Sequence, residues 1–177
     1  MENNSKELKV KVPPQALEAE EAVLGAMLTS KEAVSRGLEI LISDHFYKDS
    51  HRRIFESMNN LFDEGEPVDA VSVINELKKR KKLDASGGAY FLTGLADSVP
   101  TSANIDYYAQ IVLEKASLRR LISVATDLSS DAFNDEHGLE DILDRAEQRI
   151  FSISQGRLKG KFQQLSPVLQ ETFEQLD

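Results

Sequence analysis

Cysteine and tryptophan are absent from the 177 residues. Without cysteine there are no disulfides, thiol nucleophiles or thiolate metal sites, a pattern that fits a reducing compartment. Without tryptophan, and with aromatics at 7%, little is left for a stacking platform on single-stranded nucleic acid. Long apolar runs are also missing. Nothing approaches the roughly 18 residues of a membrane helix, and no apolar segment of signal-peptide length follows the first lysines. The chain is therefore expected in the cytosol with no membrane partner, and the Asn3-Asn4-Ser5 sequon is read as chance. Positive charge is in short supply: 21 Lys plus Arg stand against 30 Asp plus Glu, for a net charge of −9. Such a balance excludes a chain whose whole surface wraps DNA, although a local basic patch is still allowed. What remains, 41% hydrophobic and 29% charged, is the composition of an ordinary soluble domain.

Apolar spacing is helical nearly everywhere, and no stretch alternates with period two. After an N-terminal arm (residues 1–12), Pro13 and Pro14 lead into a helix over Gln15–Leu28, with Leu17, Glu21, Leu24 and Leu28 stepping along one side. Thr29, three residues before Glu32, reads as a capping box for a short helix to about Leu41. Asp49 or Ser50 is expected to cap the next helix, which carries Ile54, Phe55, Met58, Leu61 and Phe62 and stops at Gly65. Pro67 marks a turn, and Asp69 caps a helix carrying Val71, Ile74 and Leu77. Gly87-Gly88 precedes a short segment, Ala89–Ala96, with Phe91, Leu92 and Leu95. These five helices make a compact head over residues 13–102.

The pattern then changes. From Asn104 to about Phe133 apolar residues recur in one long helix of about 30 residues, near 45 Å at 1.5 Å per residue. Residues 134–138 break it. A second helix follows, with Leu139, Ile142, Ala146, Ile150 and Ile153 on one stripe, and it ends before Gly156. Residues 103–156 thus form a helical hairpin. Leu121 beside Ile122, and Val124 beside Leu128, widen the apolar arc beyond a single seam, so part of the hairpin is expected to meet another chain. Gly156–Lys161 reads as a linker, and Ser166-Pro167 opens a last helix with Leu169, Phe173 and Leu176 on one stripe. That helix is too short to be stable alone and needs a surface to lie on. The fold class is all-α: a helical head, a protruding helical hairpin and a C-terminal linker helix.

Candidate chemistry is sparse. Gly156–Lys161 has three residues between its glycines where a P-loop has four, and Phe162 stands where magnesium would need Ser or Thr. The basic run Lys78–Lys82 reads as a solvated helix end, and Arg119-Arg120 as the flank of an apolar stripe. His45 and His51 are six residues apart, the wrong spacing for a shared metal on one helix, and read as capping or surface residues, as does His137. The acidic run Glu18, Glu20, Glu21 reads as a solvated helix face. No catalytic, cofactor or metal site is expected within these residues.

Four stretches in order resemble the N-terminal region of bacterial replicative DNA helicases of the DnaB family. They are PPQALEAEEAVLGAML (Pro13–Leu28), FYKDSHRRIFESMNNLFDEGEPVD (Phe46–Asp69), GGAYFLTGLADSVPTSANIDYYAQIVLEKASLRRLI (Gly87–Ile122) and LDRAEQRIFSIS (Leu143–Ser154). Residues Ser166–Asp177 resemble the family's linker helix. The resemblance implies a head, a hairpin that pairs between copies, and a ring collar built as a trimer of dimers around DNA. It also implies a docking surface for the primase C-terminal domain, a helicase loader as a further partner, and an ATPase domain outside these residues that takes ATP and magnesium. By that resemblance Phe91, Ile122 and Leu128 fall where primase docks. Ile111, Leu118, Ile142 and Ile150 fall to the hairpin seam or dimer contact. Leu169, Phe173 and Leu176 fall to the face that meets a neighbouring ATPase domain. Two other readings are a free-standing helical adaptor that binds primase or modulates ring assembly, and a nucleic-acid module using Lys78–Lys82.

Overall fold

One helix, Leu17–Thr29 (α1), is buried on nearly every side, and the others are arranged around it. In this computed structural model residues 12–99, 101–134 and 138–155 are described. The arm up to residue 11, His137, the 156–161 linker and the Leu169, Phe173, Leu176 stripe lie outside them. As expected, every regular element among the described residues is helical: α2 (Lys31–Ile40), α3 (Asp49–Asp63), α4 (Ala70–Lys79), α5 (Gly88–Ser98), α6 (Ile105–Phe133) and α7 (139–155) follow α1. Single 3-10 turns occur at Ser43–His45, Asp84–Ser86 and Ser102–Asn104.

The sequence of α1 explains its place. Val23, Leu24, Ala26, Met27 and Leu28 form an almost continuous apolar block, and a helix apolar all round is stable only when surrounded. It packs on α2, α3, α5 and α6. Gly25 allows α5 to come close, since a Cβ there would fall against the Leu95 carbonyl oxygen and 2.5 Å from Val99 Cγ2. The core continues into α6, where Ile105, Ala109, Val112, Leu113 and Ala116 are buried. The first half of the long helix is thus as much a wall of the head as α2 or α3.

Three local expectations change. Thr29 is still helical and donates its hydroxyl to the Ala26 carbonyl at 2.9 Å, while Ser30 caps α2 by accepting from Ala33 N at 3.3 Å. One residue therefore ends α1 and starts α2. Neither Asp49 nor Ser50 caps α3: both are already helical, and the preceding residue, Lys48, makes no side-chain cap. In α4 the buried stripe is Val73 and Leu77, with Val71 exposed, because the pair four residues apart is the one that faces the core. The Asp69 cap stands as read, its carboxylate accepting from Ser72 N at 2.8 Å. Gly65 follows α3 at φ +73°, a backbone conformation open to glycine at little cost.

The residues that lead into α3 are tied instead to α1. Glu20 is 1% exposed, which overturns its reading as a solvated residue. Its carboxylate accepts from Tyr47 N at 2.6 Å and Lys48 N at 3.5 Å, and lies 2.7 Å from His51 Nδ1. His51 is itself fully buried, so it has neither the surface nor the capping role expected of it. A buried carboxylate with donors on both oxygens fastens α1 to the entrance of α3, a long-range bond between elements whose propensities alone would not hold them together.

Two outcomes follow. Gly25→Ala should lower unfolding free energy by about 1–3 kcal/mol, the cost of overpacking against backbone that cannot retreat. Glu20→Ala should cost more, about 3 kcal/mol, because it strands the two amide donors and the buried imidazole. Urea denaturation of both variants against the parent chain checks the size and the order.

Candidate partner-binding surface

Beyond Ala116, α6 leaves the head and pairs with α7. Two ion pairs set the register: Asp131 with Arg145 at 3.5 Å and Asp127 with Arg149 at 3.3 Å. On that register Ile153 comes level with Ser123, and both line one groove. Ile142, Ala146 and Ile153 are half-buried on the α7 side that faces α6. The rest of the apolar surface is open. Leu118, Leu121, Ile122 and Phe133 on α6 are 39%, 44%, 53% and 88% exposed. On α7 Leu139, Leu143, Ile150 and Phe151 are 72%, 53%, 48% and 63% exposed. So many large apolar side chains on one protrusion mark an interaction surface.

The structure sorts the residues expected there. Ile122 is exposed on α6, on the side away from Asp127 and Asp131 and hence away from α7. Leu128 is half-buried and lies one turn beyond the buried Val124, about 120° around the helix from Ile122. Phe91 is not beside them. It sits on α5, which packs on α1 and α4, and its ring stacks on His51 with centroids 5.9 Å apart and planes at 4°. Within one chain these three do not form a single patch.

Of the four expected at the seam or dimer contact, Ile142 lies in the seam and Ile150 points outward. Leu118 is one turn before Ile122 on the face away from α7. Ile111 packs on the head core beside Tyr108, where α6 has not yet left the head.

Sequence reasoning missed the polar hinge at the base of the hairpin. Arg119 donates to the Pro14 carbonyl at 2.8 Å and the His45 carbonyl at 2.6 Å, and its guanidinium lies 5.6 Å from the centre of the Tyr47 ring. Arg52 donates to the Phe46 carbonyl at 2.7 Å. Burial, followed by the charges of Arg119 and Arg120, holds the His45 imidazole below its ordinary pKa, and its Nδ1 accepts from Ile42 N at 3.2 Å. A signal was present for Glu20, which shares a helical arc with Val23, Leu24 and Met27. Nothing in the sequence pairs Arg119 with carbonyls 105 and 74 residues away. The run Lys78–Lys82 does end α4: Lys78 and Lys79 occupy its last turn, and Lys81 at φ +57° lets Lys82 N reach the Leu77 carbonyl at 2.9 Å.

A helical head closed by one long helix, whose far half carries an apolar hairpin, defines an assembly and docking module. The family described as DnaB-like helicase N-terminal domain matches residues 12–114. The replicative DNA helicase DnaC of Bacillus subtilis is 44% identical over 170 residues, covering 96% of this chain and 37% of the relative. The replicative helicase DnaB of Geobacillus stearothermophilus is 42% identical over 167 residues, again 37% of its length. Among solved structures, the N-terminal domain of DnaB helicase from Mycobacterium tuberculosis superposes with a TM-score of 0.75 at 41% identity, covering 80% of this chain and 99% of that one. A DnaB-like replicative helicase, studied with its interactions with primase, superposes with a TM-score of 0.65 at 28% identity, covering 80% and 31%. The chain belongs to the DnaB-like helicase N-terminal domain family and spans a little over a third of the two curated relatives given.

Arg119→Lys keeps the charge but loses the planar fork that reaches two carbonyls at once. It should speed amide hydrogen exchange at Ser43–Tyr47 and in the first turn of α1 while leaving α4 protected, as read by hydrogen-exchange mass spectrometry.

Proposed function

We propose that this chain is the oligomerisation and partner-binding part of a replicative DNA helicase, forming the collar of the ring and docking primase for DNA replication. The observation that carries this reading is the hairpin. Its exposed leucines, isoleucines and phenylalanines have no cover among the described residues, on a domain whose family is that of helicase N-termini. A second copy covers part of the hairpin, with Leu118 and Ile150 as contact residues. The primase C-terminal domain takes another part, meeting the exposed Ile122 and the half-buried Leu128 on the hairpin and Phe91 on the head of a neighbouring copy. Ile142 holds the hairpin's own seam. The Leu169, Phe173 and Leu176 stripe meets the ATPase domain of an adjacent subunit, and ATP and magnesium belong to that domain. A helicase loader and DNA, reached through the assembled ring, complete the set of partners.

Ile122→Asp, on an exposed position, should weaken binding of the primase C-terminal domain at least about tenfold, as loss of an apolar anchor does, with helical circular dichroism unchanged. Leu128→Asp should act in the same direction. Ile150→Asp should instead shift the mass measured by light scattering toward monomer. If Ile122→Asp leaves primase affinity unchanged and Ile150→Asp leaves the mass unchanged, the hairpin is not the docking surface. Loss of helical signal in Leu128→Asp alone would place that residue in the seam.

A further inference from the structure

Where the hairpin meets the head there is a groove of about 580 Å3, and its walls come from three parts of the chain. Ile42, Asp44, His45 and Arg52 belong to the head, Leu113 to Ser123 to α6, and Ser152 and Ile153 to α7. A single ligand seated there could touch the head and both hairpin helices. Its floor is apolar: Leu113 and Ala116 lie beneath, and Ile42, 58% exposed, stands at the edge. Its charge is positive on a chain of net charge −9. Arg52, Arg119 and Arg120 line it against one acid, Asp44. Arg52 and Arg119 are partly committed, to Asp49 and to backbone carbonyls. Arg120 is exposed and makes no ion pair among the described residues.

We infer that this groove binds an acidic peptide segment with one apolar anchor, supplied by a partner protein. The anchor lies on Leu113 and Ala116, and flanking carboxylates meet Arg120 and the outer edge of Arg52. A guanidinium suits carboxylate because its fork can donate two parallel hydrogen bonds. Charge complementarity chooses the occupant, since a basic segment would face three arginines and a wholly apolar one would strand Arg120. Bound across the junction, such a segment braces the hairpin against the head. The inference does not depend on the helicase reading, because it rests on the walls of the groove alone.

The test is fluorescence anisotropy with a labelled nine-residue peptide, four glutamates on each side of one leucine, titrated with the 177-residue chain. Binding should weaken at least about tenfold in Arg120→Glu and should fall with salt, as contacts between exposed charges do. Ser123→Tyr, which fills the groove without altering charge, should weaken it as well. Lys78→Glu makes the same change of charge at the end of α4 and should leave it unaltered. The inference is overturned if the peptide does not bind, or if Arg120→Glu and Lys78→Glu act equally. It is also overturned if an oligothymidine of equal charge binds as tightly and through Arg120, because the groove would then select any polyanion.

Discussion

The Glu20 carboxylate, withdrawn from water and met by the Tyr47 amide, the Lys48 amide and His51, joins the central helix to the start of α3. A buried charge is tolerable only when its oxygens are answered, so this arrangement fixes geometry as well as contact. It decides where α3 begins and how the 46–48 turn is oriented. It also holds His51 flat against the Phe91 ring of α5. The same turn presents the Phe46 carbonyl to Arg52, and His45 just before it presents one to Arg119. From one carboxylate the hydrogen bonds run outward to the root of the hairpin.

The two halves of α6 divide the labour. Small and apolar residues at Ala109, Val112, Leu113 and Ala116 let the first half lie close against α1 and α2. Among the described residues the second half has a partner on one side only, where aspartates meet the arginines of α7. On its other side Leu118 and Ile122 stand in water. A head that is complete by itself can thus carry a surface that is not, which is what a module for building a larger assembly requires. Membership of the helicase N-terminal family and the superposition on the mycobacterial domain agree with that division.

Much of the fold was legible because helical periodicity is a local property. The long helix, the break after Phe133, the Asp69 cap and the turn glycine at position 65 could all be read from neighbours in sequence. What was lost was non-local. A Glu beside two other Glu looks solvated until the fold brings an amide pair and an imidazole to it. Thr29 and Ser30 are equally good caps on paper, and only the packing of α1 decides which one is still helical. Ile111 and Leu118 belong to the same apolar pattern, yet one faces the head and the other faces solvent, because the pattern does not say where the head ends. The hairpin as an interaction surface was legible from its surplus of apolar residues; the basic groove at its base was not.

Because α6 is a single unbroken helix, it works as a lever. Its fulcrum is the Arg119 contact at the edge of the head, and its free arm reaches Phe133, about 20 Å away at 1.5 Å per residue. A tilt of about 10° at that fulcrum would carry the tip by roughly 3–4 Å, enough to change which side chains a neighbour meets, with no rearrangement inside the arm itself. Small adjustments at a few backbone carbonyls would therefore be magnified at the far end of the helix.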